Sequence, residues 1–328
     1  MGIDVYGIGN ALVDVQAGVE DAVLDKIIAL KTPGAPERIA KGNMHLVDAA
    51  AQQAVLGQLA GHDLATVSGG SACNTMIGLA QLGGRAAYCG KVAGDQYGSF
   101  FAEDLRAAGV DYNVPFGEQG TGTCAVLVTP DAQRTMFTNL GISIELKPED
   151  LDFDAIAAAK WVYIEGYLWD AAGPKAASVK AMEYAKNNGI KVAYSYSDSF
   201  CVQRALEDFR RFTKDYVDLV FCNDDEACAF AGRDDIEAAL KEIEKYGTGI
   251  AATRGKQGSI LVLDGARHDI APVSCVPVDT TGAGDLYAAG VLAGLCRGLP
   301  PAEAGALGSK MAAHAISVRG ARIPASAL

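Results

Sequence analysis

Two apolar rhythms alternate along the chain. Short runs at 3–9, 160–165, 191–196, 217–222 and 249–253 have strand length and end in glycine or polar residues. Between them, apolar residues recur at three- and four-residue spacing over 19–30, 174–188, 201–213 and 234–246, which predicts helices. Further helices are expected from Asp48 as N-cap to about Leu59, from the Gly69-Gly70 turn to Leu82, over 286–297, and in the last stretch that begins at Pro300-Pro301. Strands alternating with helices at this spacing predict a parallel sheet covered on both faces. Two segments break the rhythm. Residues 111–140 alternate around Pro130-Asp131 and read as an inserted β-hairpin, with Arg134 and Phe137 equally placed to face a ligand. Residues 259–272 read as a second hairpin with an Asp264-Gly265 turn. No internal repeat or low-complexity linker divides the chain, so 1–328 is expected to form one domain.

Composition narrows the function classes. Half of the 328 residues are hydrophobic, enough for a large core. A net charge of -12 argues against a general nucleic-acid or membrane-surface binder, so an anionic ligand must be held by a local site. Eight scattered cysteines without a C-x-x-C pair, and four histidines without metal-ligand spacing, point to reduced thiols and a cytoplasmic setting. The start MGIDVYGIGN has no charged-then-apolar leader, and no apolar run reaches membrane-spanning length.

Candidate chemistry sits at strand exits and glycine turns. Asp279-Thr280-Thr281-Gly282-Ala283-Gly284-Asp285 opens an apolar helix. The first amides of that helix lack intrahelical partners, and together with its dipole they suit a phosphate or a developing anion. Asp285 would repel bound phosphate, so its place there fits a general base that deprotonates a hydroxyl. On the residues alone, a capped helix after a glycine turn fits equally well. Asn10 and Asp14 follow the first strand, and a carboxylate such as Asp14 can accept from two neighbouring hydroxyls. Asn223-Asp224-Asp225-Glu226 follows the 217–222 strand at the end where open α/β sheets bind ligands, although acids also favour any first helical turn. The Walker A pattern fails because position 85 is Arg and position 92 is Val. The dinucleotide fingerprint fails because position 12 is Leu.

The D-T-T-G-A-G-D segment resembles the C-terminal signature of the ribokinase-like (PfkB) carbohydrate and nucleoside kinases. Gly90, Gly94, Asp95 and Gly98 resemble the N-terminal signature of that family. Gly69-Gly70-Ser71-x-x-Asn74 resembles the substrate turn of its adenosine kinases. The resemblance implies a three-layer α/β/α fold with a mostly parallel central sheet and a small β-sheet lid from segments near 11–18, 40–47 and 111–140. It also implies roles: Asp285 as base, the amides of Gly282, Ala283 and Gly284 as anion hole, and Asn10, Asp14, Gly69, Gly70, Ser71, Asn74 and Asp285 itself around the acceptor. Asn223 and Glu226 would hold Mg²⁺ through water. ATP would meet Asn223, Thr253, Gly255, Gly258, Thr280, Gly282, Gly284 and His314, the last on an adenine wall. Asp279 and Thr281 would adjoin a monovalent cation, potassium.

The expected activity is ATP- and Mg²⁺-dependent phosphorylation of the 5′-hydroxyl of adenosine, giving AMP. A sugar kinase of the same fold is the alternative. A non-catalytic nucleotide- or sugar-binding protein is a third reading, disfavoured by the intact Asp285 and glycine turn. The expected partner is a small nucleoside or sugar, with neither nucleic acid nor membrane, in a monomer or a homodimer.

Overall fold

The computed structural model describes residues 2–131, 133–318 and 320–323. Among these, the strands in chain order are β1 (Ile3–Ile8), β2 (Leu12–Gly18), β3 (Met44–Leu46), β4 (Leu64–Gly69), β5 (Ala86–Cys89), β6 (Val110–Tyr112), β7 (Gly122–Val128), β8 (Arg134–Asn139), β9 (Ala159–Glu165), β10 (Lys191–Ser195), β11 (Leu219–Asn223), β12 (Gly249–Thr253), β13 (Ser259–Leu263) and β14 (Ala266–Ile270). Nine of them form one sheet in the order β14-β13-β12-β11-β10-β9-β1-β5-β6. Its pairs are parallel except β12–β13 and β13–β14. The Asp264-Gly265 turn between β13 and β14 has φ of 51° and 74°, the positive pair that a type I′ hairpin needs.

The chain starts at β1, builds outward through β5 and β6, then returns to the other flank of β1 for β9 to β12. Right-handed crossovers running in opposite directions place their helices on opposite faces of the sheet. Helices Ser71–Gln81, Ala283–Cys296 and Pro301–Ile316 pack together. Helices Phe153–Ala157 and Ala172–Asn187 cover β9 and its neighbours. The reversal also leaves a crevice beyond the carboxyl ends of β1 and β9, the usual ligand position in such sheets.

A second sheet, in the order β3-β8-β7-β2-β4, stands beyond those ends. Strand β4, which pairs antiparallel with β2, is not marked by the sequence pattern, because its first residues are exposed and do not alternate. One face of this sheet is buried under helices Asp21–Ala29 and Ala49–Gly57 by Leu24, Ile27, Val55, Ala125, Leu127 and Phe137. Asp48 caps the second of these helices, accepting from the Ala51 amide at 2.8 Å. The other face looks into the crevice.

The helix expected over 201–213 is broken into Ser199–Arg204 and Leu206–Asp215, with Ala205 non-helical at φ −124° and ψ 30°. The break resets the helical phase, so that Phe209 and Phe212 both meet Trp169 edge-on and Phe209 also meets Tyr194. None of the helices among the described residues is long and apolar enough to cross a membrane. All eight cysteines are free.

Candidate active site

A cleft of about 560 Å³ lies between the two sheets, within the usual size for a small-molecule site. Its floor comes from the carboxyl ends of β1 and β9 to β12, and its roof from β2, β3, β7 and β8. Asp285 lies in the first turn of helix Ala283–Cys296. Its Oδ1 accepts from the Ser71 hydroxyl at 2.6 Å and its Oδ2 from Asn74 Nδ2 at 3.0 Å. Burial raises its pKa, and these two donors oppose the rise. The helix begins at Gly282 in the left-handed region, φ 73°, where a Cβ would also meet the Cβ of Ala321 at 2.5 Å. The free amides of this first turn therefore face the same cleft as the carboxylate.

Asp14, on β2, is buried across from Asp285. Burial pushes its carboxyl up to about 7; the Arg322 and Arg134 charges oppose this, while that of Asp285 adds to it. The glycine pair before Ser71 is explained by close approach. A side chain on Gly69 would overlap the Asp14 carboxyl, and one on Gly70, at φ 98°, would overlap the Asn10 carbonyl.

Glu165 is the functional candidate that sequence reasoning missed. It ends β9 beside the crevice and is 1% exposed. Its two oxygens accept from the Asn10 and Ala72 amides, each at 2.7 Å. It thus ties the end of β1 to the start of the helix that carries Ser71 and Asn74. Burial pushes it to about 7 against those amide bonds. The available signal was an acid closing the buried run Trp161-Val162-Tyr163-Ile164.

The hairpin register decides which residues face inward. Arg134, Met136 and Thr138 line the cleft, whereas Phe137 is buried on the opposite face. Arg134 and Arg254 are the cations of a lining otherwise rich in carboxylates. Arg254 lies 3.5 Å from Asp224; Arg134 has no carboxylate partner among the described residues.

Asn223 and Glu226 form a reciprocal capping box. The Glu226 amide donates to Asn223 Oδ1 at 2.8 Å, and the Glu226 carboxylate accepts from the Asn223 amide at 3.0 Å and from its Nδ2 at 2.7 Å. Burial lifts Glu226 to about 8. No cluster of three or more His, Cys, Asp or Glu suited to a metal occurs among the described residues. The oxygen donors of 223–226 line the cleft and fit a hydrated Mg²⁺, which keeps several of its waters.

Thr253, Gly255, Thr280 and Thr281 also line the cleft. Gly69, Gly258, Asp279 and His314 are not in the lining. Gly258, at φ 88°, closes the turn into β13, where a Cβ would overlap the Ile270 carbonyl. His314 is half-buried on helix Pro301–Ile316. Asp279 is buried and shapes its own loop: Oδ1 accepts from the Thr281 amide at 2.9 Å and hydroxyl at 2.6 Å, and Oδ2 accepts from the Gly320 amide at 2.8 Å.

Comparison with known proteins fits this geometry. A crystal structure of adenosine kinase from Sinorhizobium meliloti is 38% identical, with TM-score 0.90, over 98% of this chain and 96% of that one. An adenosine kinase of Saccharomyces cerevisiae is 29% identical over 89% of this chain and 88% of its own length. A fructokinase of Klebsiella pneumoniae is 29% identical over 71% of this chain and 78% of its own. Residues 43–328 match the pfkB family of carbohydrate kinases. The glycine turn, its internal carboxylate and the two-sheet cleft thus have a family: the chain belongs to the pfkB carbohydrate kinases and is a phosphotransferase with a hydroxyl group as acceptor.

Proposed function

We propose that the protein transfers the γ-phosphoryl group of ATP to the 5′-hydroxyl of adenosine. The observation that carries the reading is the placement of Asp285 inside an amide-lined helix start, facing Asp14 across one cleft. The ribose diol binds Asp14, with Asn10 and the Gly70 turn beside it. The acceptor hydroxyl takes the place of the Ser71 hydroxyl at Asp285, which removes its proton as the new O–P bond forms and the bond from the γ-phosphorus to the β,γ-bridging oxygen breaks, leaving ADP. The amides of 282–285 receive charge on the transferred group, and Arg134 adds the positive charge that the acidic lining lacks. Mg²⁺ near Asn223 and Glu226 would neutralise phosphate charge when bound. The same reading places potassium beside the Asp279–Thr281 loop, checked by exchanging potassium for a bulky organic cation in the assay.

Adenosine is favoured by the roof. Leu12, Met44, Leu46, Met136 and Leu140 give an apolar surface suited to a flat base, which a free sugar would leave uncovered. The fructokinase relative supports a second reading, a sugar kinase using the same polar floor. An acceptor panel with ATP and Mg²⁺ separates the two. Turnover of adenosine at least tenfold above ribose and fructose is expected; turnover of a sugar without adenosine overturns the first reading.

A further inference from the structure

The segment 320–323 runs between parts of the site that are distant in sequence. The Gly320 amide donates to Asp279 at 2.8 Å, Ala321 abuts Gly282, and the Ile323 carbonyl accepts from Gln81 Nε2 at 2.7 Å. Between them, Arg322 reaches across to β4. One guanidinium nitrogen donates to the Ser68 carbonyl at 2.7 Å and lies 2.7 Å from Asp104 Oδ2. The same nitrogen meets the Ser68 hydroxyl. Asp104 in turn accepts from the Ser68 hydroxyl at 2.7 Å and amide at 3.2 Å. Ser68 is fully buried, pairs with Val13 beside Asp14, and directly precedes the Gly69-Gly70 turn.

We propose that Arg322 is a positioning residue for the acceptor: it bolts the segment behind the anion-hole turn to the strand carrying the acceptor turn, and it compensates the charge of Asp14. The inference rests on the reading of Asp14 as an acceptor ligand. Three charges bear on Asp14: Arg322 from the C-terminal segment, Arg134 from β8, and Asp285 from helix Ala283–Cys296. The neighbouring thiols Cys73, on helix Ser71–Gln81, and Cys124, on β7, are uncharged because burial pushes both upward. Asp104, on helix Gln96–Ala107, acts through Arg322, which helps hold its carboxyl below the usual range against burial. Of the two cations, Arg322 opposes the effect of burial on Asp14 more strongly.

The test is steady-state kinetics with adenosine and ATP across pH, on Arg322→Met, Arg322→Lys, Asp104→Asn and Asp14→Asn. Arg322→Met keeps the aliphatic stem and removes the charge. It is expected to raise the adenosine KM about tenfold with the ATP KM within about twofold, and to move the acid limb of kcat/KM for adenosine up by about one pH unit. Arg322→Lys should restore the limb while recovering only part of the KM, because an ammonium lacks the planar fork. Asp104→Asn should raise the adenosine KM a few-fold, about two to five, without moving the limb upward. Equal rises in both KM values, or an adenosine KM and limb unchanged in Arg322→Met, overturn the proposal. Should Arg322→Met not fold, an unchanged adenosine KM in both Arg322→Lys and Asp104→Asn overturns it. Asp14→Asn separates the two levels. If it leaves the adenosine KM unchanged, the reading of Asp14 fails; if it raises that KM while the Arg322 variants do not, only the role of Arg322 fails.

Discussion

Replacing Asp285 by Asn separates chemistry from structure at the site. The carboxylate is held by Ser71 Oγ at 2.6 Å and Asn74 Nδ2 at 3.0 Å. An asparagine can keep both contacts: its oxygen faces the Asn74 amide, and its NH₂ faces Ser71, whose hydroxyl turns to accept. Shape and packing are therefore retained, and the substitution removes only the ability to take a proton. Loss of a general base costs about 10²–10⁴ in rate, which at ~1.4 kcal/mol per decade is about 3–5.5 kcal/mol of transition-state stabilisation. Because the Asp285 pKa is raised by burial, its working ionised form is depleted as pH falls, so the wild-type kcat should show an acid limb that the variant lacks. The assay is ADP release with saturating adenosine and ATP, alongside calorimetric binding of each ligand. A kcat within about threefold of wild type refutes the base assignment. A parallel loss of adenosine binding would make Asp285 a ligand of the acceptor instead.

Two further outcomes follow from the geometry. Gly69→Ala forces a Cβ into the Asp14 carboxyl, so the adenosine KM should rise by about tenfold or more while the ATP KM stays within about twofold; equal effects on both would place the damage in the fold. Asp14, Glu165 and Glu226 are raised by burial to about 7, about 7 and about 8, so the folded state holds more protons than the unfolded chain from the ordinary carboxylate range up to about pH 8. Stability should accordingly fall as pH rises through that window, by at most ~1.4 kcal/mol per pH unit for each group. Scanning calorimetry of the ligand-free protein at pH 5.5 and 8 checks this. A higher midpoint at pH 8 refutes it, and Glu226→Gln should flatten the slope.

Strands β1 and β9 to β12 of the large sheet were legible because each is a short apolar run closed by a polar residue or glycine, and burial on both faces demands that pattern; β6, at the sheet edge, was not, because its residues fall at the start of the segment read as a lid hairpin. The β13–β14 hairpin was legible from its Asp-Gly turn alone. Strand β4 was not, because half of it is exposed and its place is fixed by pairing with β2. At the site, Gly282 and Asp285 could be read from local rules of helix starts. Gly69 could be recognised as a required glycine, but the group that requires it, Asp14, comes from another strand. The alternation of Arg134 and Phe137 left two faces open, and the register Ala125↔Phe137 with Ala125 buried beneath the helices settled it.

The sequence by itself determined the parallel α/β class and the glycine-turn helix start of 279–285. Both depend on periodicity and backbone preferences confined to neighbouring residues. Only the tertiary structure decided that Glu165 ties Asn10 to Ala72 and that Asp14 meets the Gly69 turn. It also decided that Asp279 shapes a loop rather than lining the cleft, and that Arg322 reaches Ser68 and Asp104. These are long-range pairings of buried polar groups, and such groups find their partners only once the strands and helices that carry them are packed.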